Sequence, residues 1–83
     1  MVYKTKGTCS VAINVELNND GTIGDVSFQG GCNGNLQGIS ALVKGMKPED
    51  AISKLRGIKC GFKSTSCPDQ LSYALEQAVA ERQ

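Results

Sequence analysis

Hydrophobic positions change their spacing once along the chain, from every second residue to about every 3.6 residues. Large apolar side chains occupy alternate positions from residue 11 to residue 17, which predicts a strand with one buried face. Residues 18–21, Asn-Asn-Asp-Gly, predict a hairpin turn, because an Asp-Gly step supplies the positive backbone angles that such turns need. A second strand is predicted over residues 23–28, and residues 2–5 predict a third strand at the edge of the sheet.

Three helices are predicted after residue 32. The first has one apolar face and ends at Gly45, and the second begins at Pro48 and ends at Gly57. The third has either Cys67 or Ser66 as its N-cap, since Ser66 and Asp69 have the spacing of a capping box. The apolar faces of the first and third helices comprise Leu36, Ile39, Leu42 and Val43, and Leu71, Ala74, Leu75, Ala78 and Val79. We therefore predict one α+β domain over residues 1–83, a two- to three-stranded antiparallel meander followed by three helices.

Composition predicts a thin hydrophobic core. The chain has 83 residues, with two Tyr, two Phe and no Trp. A core of this size rarely supplies more than about 3 to 5 kcal/mol, so domains this small often depend on a metal, disulfides or oligomerisation. The chain has no histidine to act as a base, which argues against hydrolytic catalysis. Its four cysteines make a metal or disulfides the concrete options.

The N-terminus predicts a cytoplasmic protein, since residues 1–7 are not followed by the apolar stretch of a secretory signal. No segment reaches the length needed to span a membrane. In the reducing cytosol, cysteines are expected to be metal ligands or redox thiols. A mature secreted fragment is the alternative, and its four cysteines would form a disulfide framework with three possible pairings.

All four cysteines are predicted to lie at the ends of secondary-structure elements. Cys9 precedes a strand, Cys32 follows the next strand, Cys60 lies in a loop, and Cys67 begins the third helix. Cys32 and Cys67 also lie at helix N-termini, where the helix dipole stabilises a thiolate as nucleophile or metal ligand. Buried cysteines that act only as small hydrophobic residues are the alternative.

Four thiolates without histidine suit zinc or an iron–sulfur cluster. The spacing lacks the doubled Cys-x-x-Cys of common zinc sites, so residue type is the stronger argument. Zinc held by four thiolates would change the net charge from +1 to about −1. The basic stretch of residues 44–63 could balance such a site. It could also contact nucleic acid, but solvated helix faces explain it better in a nearly neutral chain.

The sequence Thr65-Ser66-Cys67-Pro68-Asp69 resembles the signature of the TSCPD domain. This small module is found as a stand-alone bacterial protein and near the C-terminus of many cobalamin-dependent ribonucleotide reductases. Residues 31–35, Gly-Cys-Asn-Gly-Asn, and the Cys60-Gly61 pair look like the other cysteine motifs of that domain. The resemblance covers nearly the whole chain and implies that Cys9, Cys32, Cys60 and Cys67 act together on a metal.

The order of elements is also similar to that of iron–sulfur cluster assembly scaffolds. In that family three cysteines hold the nascent cluster, and Cys9, Cys32 and Cys67 occupy comparable places. Val11 and Ser66 replace the scaffold's Asp and His, and Cys60 could fill the vacant ligand position. A closed site with four protein ligands favours stable metal binding over cluster transfer.

We therefore expect a metal-binding module, zinc or iron–sulfur, with a structural or accessory role related to ribonucleotide reductase. A reductase or another redox protein is the expected partner, and the oligomeric state is left open. Catalysis by the chain alone is not expected, because 83 residues leave no room for a nucleotide pocket and a cobalamin site. The alternatives are a cluster scaffold or carrier and a thiol–disulfide relay. A relay would use Cys60 and Cys67 if their Cα atoms lie about 4.4 to 6.8 Å apart.

Overall fold

The structure of the protein is a computed structural model, which describes residues 1–7, 10–30, 33–59 and 61–82. The described chain folds into a three-stranded sheet followed by three helices, and this confirms the predicted α+β class. The elements are β1 (Val2–Lys4), β2 (Ser10–Leu17), β3 (Ile23–Gly30), α1 (Asn33–Val43), α2 (Pro48–Leu55) and α3 (Cys67–Arg82).

The sheet is an antiparallel meander in the order β1-β2-β3, so the predicted third strand is present at an edge. The predicted turn joins β2 to β3. Gly21 has a φ of +91°, which a residue with a side chain rarely adopts, and its N–H donates to the Asn18 carbonyl oxygen at 2.9 Å. The Asp20 carboxylate accepts from the Thr22 N–H at 3.0 Å and from the Thr22 hydroxyl at 2.6 Å. These bonds fix the register of the hairpin.

The connection between α1 and α2 is attached to the start of β3. The Gly45 N–H donates to the Ile23 carbonyl oxygen at 2.7 Å, and the Ile23 N–H donates to the Met46 carbonyl oxygen at 2.9 Å. Gly45 has a φ of +87°, as expected of a glycine that ends a helix. Pro48 is the first residue of α2, as the sequence predicts.

Helix α3 supplies the centre of the core. Leu71, Ala74 and Leu75 are fully buried in one cluster with the inward side chains of β2 and β3. The apolar face predicted for α1 is wrong at one position, since Leu42 is 78% exposed. Each residue turns a helix by about 100°, which places Leu42 about 120° away from the buried Leu36.

Candidate functional site

Helix α3 begins at Cys67, whose side chain is buried with 8% of its surface exposed. Ser66 precedes it as the N-cap. The Ser66 hydroxyl oxygen accepts from the Asp69 N–H at 3.1 Å, and its carbonyl oxygen accepts from the Gln70 N–H at 2.8 Å. The predicted helix boundary with Ser66 as the N-cap is therefore correct. Pro68 consequently occupies the second helical position instead of the first, and Cys67 still lies at the positive helix end.

Asp69 carries a buried carboxylate that connects the start of α3 to the end of α2. One carboxylate oxygen accepts from the Thr65 hydroxyl at 2.5 Å, and the other accepts from the Gly57 N–H at 2.8 Å. Burial raises the pKa of Asp69, but these two hydrogen bonds and the positive charges of Arg56 and Lys59 outweigh it. The pKa of Asp69 is therefore lowered from its usual value, and the group is a stable anion near neutral pH.

Gln70 forms a second buried connection, towards the N-terminal segment. Its side-chain oxygen accepts from the Lys6 N–H at 3.1 Å, and its side-chain nitrogen donates to the Thr65 hydroxyl oxygen at 3.0 Å. Gly7 lies against Thr65 with a φ of +75°, and a Cβ atom at Gly7 would come within 3.0 Å of the Thr65 methyl carbon. The backbone just before Cys9 is thus held at the start of α3.

The loop after α2 is also hydrogen-bonded to the start of α3. The Ser66 hydroxyl donates to the Ile58 carbonyl oxygen at 2.6 Å, close to the bond between Gly57 and Asp69. Ile58 precedes Cys60 by two residues. At the end of the β2–β3 hairpin opposite its turn, Ser10 pairs with Gly30.

Of the four predicted ligands, only Cys67 falls within the described residues; Cys9, Cys32 and Cys60 lie outside them. Within the described ranges, no three His, Cys, Asp or Glu side chains form a group that could hold a metal ion. Described neighbours of Cys9 and Cys60 are in direct contact with the residues around Cys67. Ser10, which follows Cys9, is in register with Gly30, two residues before Cys32.

Arg56, from the predicted basic stretch, packs against α3. Its Nε donates to the Ser72 hydroxyl oxygen at 3.0 Å, and its Nη1 donates to the Glu76 carboxylate at 3.1 Å. The guanidinium also lies over the Tyr73 ring, 4.1 Å from the ring centre. These contacts give Arg56 a structural role in joining α2 to α3, which the solvated-face interpretation of this stretch did not predict.

Sequence reasoning gave Gln70 no role, and it used Thr65 and Asp69 only as residues of the signature and, for Asp69, of a capping box. Thr65, Asp69 and Gln70 are all buried and form one polar cluster. The signal that could have identified them is the concentration of short polar side chains immediately around Cys67, at a helix start that the sequence already predicts.

Replacing Asp69 with asparagine is expected to lower the free energy of unfolding by about 1 to 3 kcal/mol, because the Thr65 hydroxyl loses a charged acceptor. The lowered pKa means that the stabilisation by the Asp69 anion is present above the unfolded-state pKa. It is lost as the pH falls through the folded-state pKa, which lies below the usual pKa of an aspartate. Urea unfolding of Asp69→Asn at neutral and acid pH measures both effects, with Asp25→Asn at an exposed position of β3 as the control. Equal unfolding midpoints for the two variants would contradict the prediction.

Comparison with known proteins identifies one family. The model of the TSCPD domain matches residues 1–79 of the 83-residue chain. No curated protein and no solved structure matches. The similarity to iron–sulfur scaffolds therefore stays a prediction. None of the helices in the described part of the chain combines the length and apolar character needed to cross a membrane.

Proposed function

The chain belongs to the TSCPD domain family, and on that premise we propose that it is a metal-binding module with one four-cysteine site. The proposed ligands are Cys9, Cys32, Cys60 and Cys67, and the proposed metal is zinc. Zinc is preferred because it forms closed tetrahedral sites with four thiolates.

The observation that supports the proposal is the contact of two described segments, residues 6–7 and 57–58, with the start of α3. Lys6 and Gly7 contact Gln70 and Thr65 there, and Ile58 contacts Ser66. Cys9 and Cys60 are covalently linked to these segments within three residues, and consecutive Cα atoms are only about 3.8 Å apart. Cys67 at the centre of this arrangement is the first residue of α3.

The chemistry of the donor set fits zinc. All four proposed donors are soft sulfur atoms, and the chain has no histidine that would compete for the ion. The positive end of α3 favours a thiolate at Cys67. Arg56 and Lys59 add positive charge that acts on the neighbouring Asp69. When bound, the zinc would supply folding free energy by cross-linking four segments of a thin core.

The proposal is tested by the metal and sulfide content of natively purified protein, prepared without oxygen and alongside a free-thiol count. We expect about one zinc per chain and no sulfide, as for a closed structural site. Iron together with sulfide would overturn the choice of zinc and favour the function of a cluster scaffold or carrier. No metal, with thiols missing from the count, would overturn metal binding and favour a disulfide or relay function.

The proposed role is structural or accessory, and the proposed partner is a ribonucleotide reductase or another redox protein. The support for the partner is the resemblance of the cysteine motifs to the C-terminal module of such reductases. A pull-down of purified reductase by the zinc-loaded chain, compared with the metal-stripped chain, tests it. Equal and negligible recovery in both samples would remove the reductase from the proposal.

A further inference from the structure

We propose that Gln70 is a positioning residue that fixes the segment before Cys9 at the metal site, so that Cys9 can complete the ligand set. The inference rests on the proposed function. It concerns a residue that is not itself a metal ligand and that lies outside the Thr-Ser-Cys-Pro-Asp signature.

The segment before Cys9 is hydrogen-bonded first to the sheet and, at the next residue, to Gln70. Register pairing between β1 and β2 ends at Lys4, and the Thr5 N–H still donates to the Val11 carbonyl oxygen at 3.2 Å. The following N–H, that of Lys6, donates instead to the Gln70 side chain at 3.1 Å. The chain therefore passes from the sheet to α3 at Lys6, three residues before Cys9.

Gln70 is itself held in place by its neighbours. Its side chain is 7% exposed, and its amide nitrogen donates to the Thr65 hydroxyl oxygen, which donates in turn to Asp69. Asp69 accepts from Gly57. One continuous set of hydrogen bonds thus joins the backbone before Cys9 to the backbone before Cys60, across the first turn of α3 that begins with Cys67.

These hydrogen bonds would hold the proposed metal ligands in position without contacting the metal themselves. Residues that orient ligands without touching the metal typically change metal affinity by about 10- to 100-fold when replaced. Gln70 acts on the backbone of Lys6, so its effect does not depend on the Lys6 side chain. Loss of the bond should therefore weaken ligation by Cys9, whereas the bonds from Asp69 and Ser66 to the backbone before Cys60 do not involve the Gln70 side chain.

The test compares Gln70→Met with Gln77→Met. Methionine has nearly the volume of glutamine and removes the hydrogen bonds without leaving a cavity. Gln77 lies exposed on the same helix, and its side chain donates to the Glu81 carboxylate, so its replacement controls for the chemistry of the change. Zinc affinity is measured by competition with a chelator, and thiolate-to-metal absorption is measured with cobalt in place of zinc.

Gln70→Met is expected to weaken zinc binding by about 10-fold or more, whereas Gln77→Met should bind as the wild type does. In Gln70→Met, the cobalt–thiolate absorption should fall by about a quarter, because one of the four thiolate ligands is lost. Amide hydrogen exchange should accelerate at Lys6 and stay unchanged at Gly57, which separates local release from general destabilisation.

Equal zinc affinity and equal cobalt spectra for the two variants would overturn the inference while leaving the proposed function intact. A wild-type protein that binds no metal would overturn both. If Gln70→Met fails to fold, amide hydrogen exchange in the zinc-loaded wild type decides, because the proposal requires the Lys6 N–H to be held by the Gln70 side chain. Exchange at Lys6 as slow as at Gly57 would support the positioning of this segment, and exchange as fast as at an unprotected amide would overturn it.

Discussion

Replacing Cys67 with serine is expected to abolish stoichiometric zinc binding and to remove most of the free energy of unfolding. Structural zinc sites contribute apparent free energies of about 10 to 16 kcal/mol. A core of this size rarely supplies more than about 3 to 5 kcal/mol by itself. Serine is close to cysteine in volume, so the buried position at the start of α3 stays filled while the thiolate is lost. Zinc content and urea unfolding of the same samples measure the effect.

Metal-stripped wild-type protein is the control for this variant. If the zinc is the source of the lost stability, wild type without metal and Cys67→Ser should unfold at nearly the same urea concentration. Retention of stability by Cys67→Ser, together with loss of electron transfer to a partner, would contradict the metal site and favour the thiol relay. Retained zinc with an unchanged unfolding midpoint would remove Cys67 from the ligand set.

The elements of the fold follow from local patterns that a single sequence contains. The alternation of β2 from Ile13 onwards, the Asp-Gly step at Gly21 and the Pro48 start of α2 each depend on residues within a few positions of one another. At the start of β2 the alternation is wrong, since a register irregularity leaves Val11 exposed and Ala12 buried. The error at Leu42 also arises from reliance on a local pattern. Spacing alone places it on a broad apolar face, but α1 buries only the narrower stripe that faces β3.

The polar cluster around Cys67 could not be predicted in this way, because its partners are distant along the chain. Gln70 accepts from an amide 64 residues away, and Asp69 accepts from one 12 residues away. No periodicity joins such positions. The sequence does indicate that polar side chains gather at a helix start, and Ser66 in its capping role was predicted correctly as one of two alternatives.

Each polar residue of the Thr-Ser-Cys-Pro-Asp signature has a defined contact in the structure. Thr65 contacts Asp69 and Gln70, Ser66 caps the helix and holds Ile58, and Asp69 holds Gly57. The signature therefore encodes a junction between three chain segments as well as a thiol.

Replacing Leu75 with alanine is expected to lower the free energy of unfolding by about 2 to 5 kcal/mol, through lost apolar burial and the cavity that remains. Leu75 is fully buried at the centre of the cluster formed by α3, β2 and β3. Leu42→Ala is the matched control, since Leu42 is 78% exposed and its truncation should change stability by no more than about 0.5 kcal/mol.

Urea unfolding of zinc-loaded Leu75→Ala and Leu42→Ala, with metal content measured on each folded sample, separates core packing from the proposed metal site. Leu75→Ala should unfold at lower urea and still bind one zinc per folded chain, because no proposed ligand is changed and α3 keeps its first turn. Cys67→Ser should lose both stability and zinc. Equal destabilisation by the two leucine variants would contradict the described core, because it would mean that Leu75 and Leu42 are similarly buried.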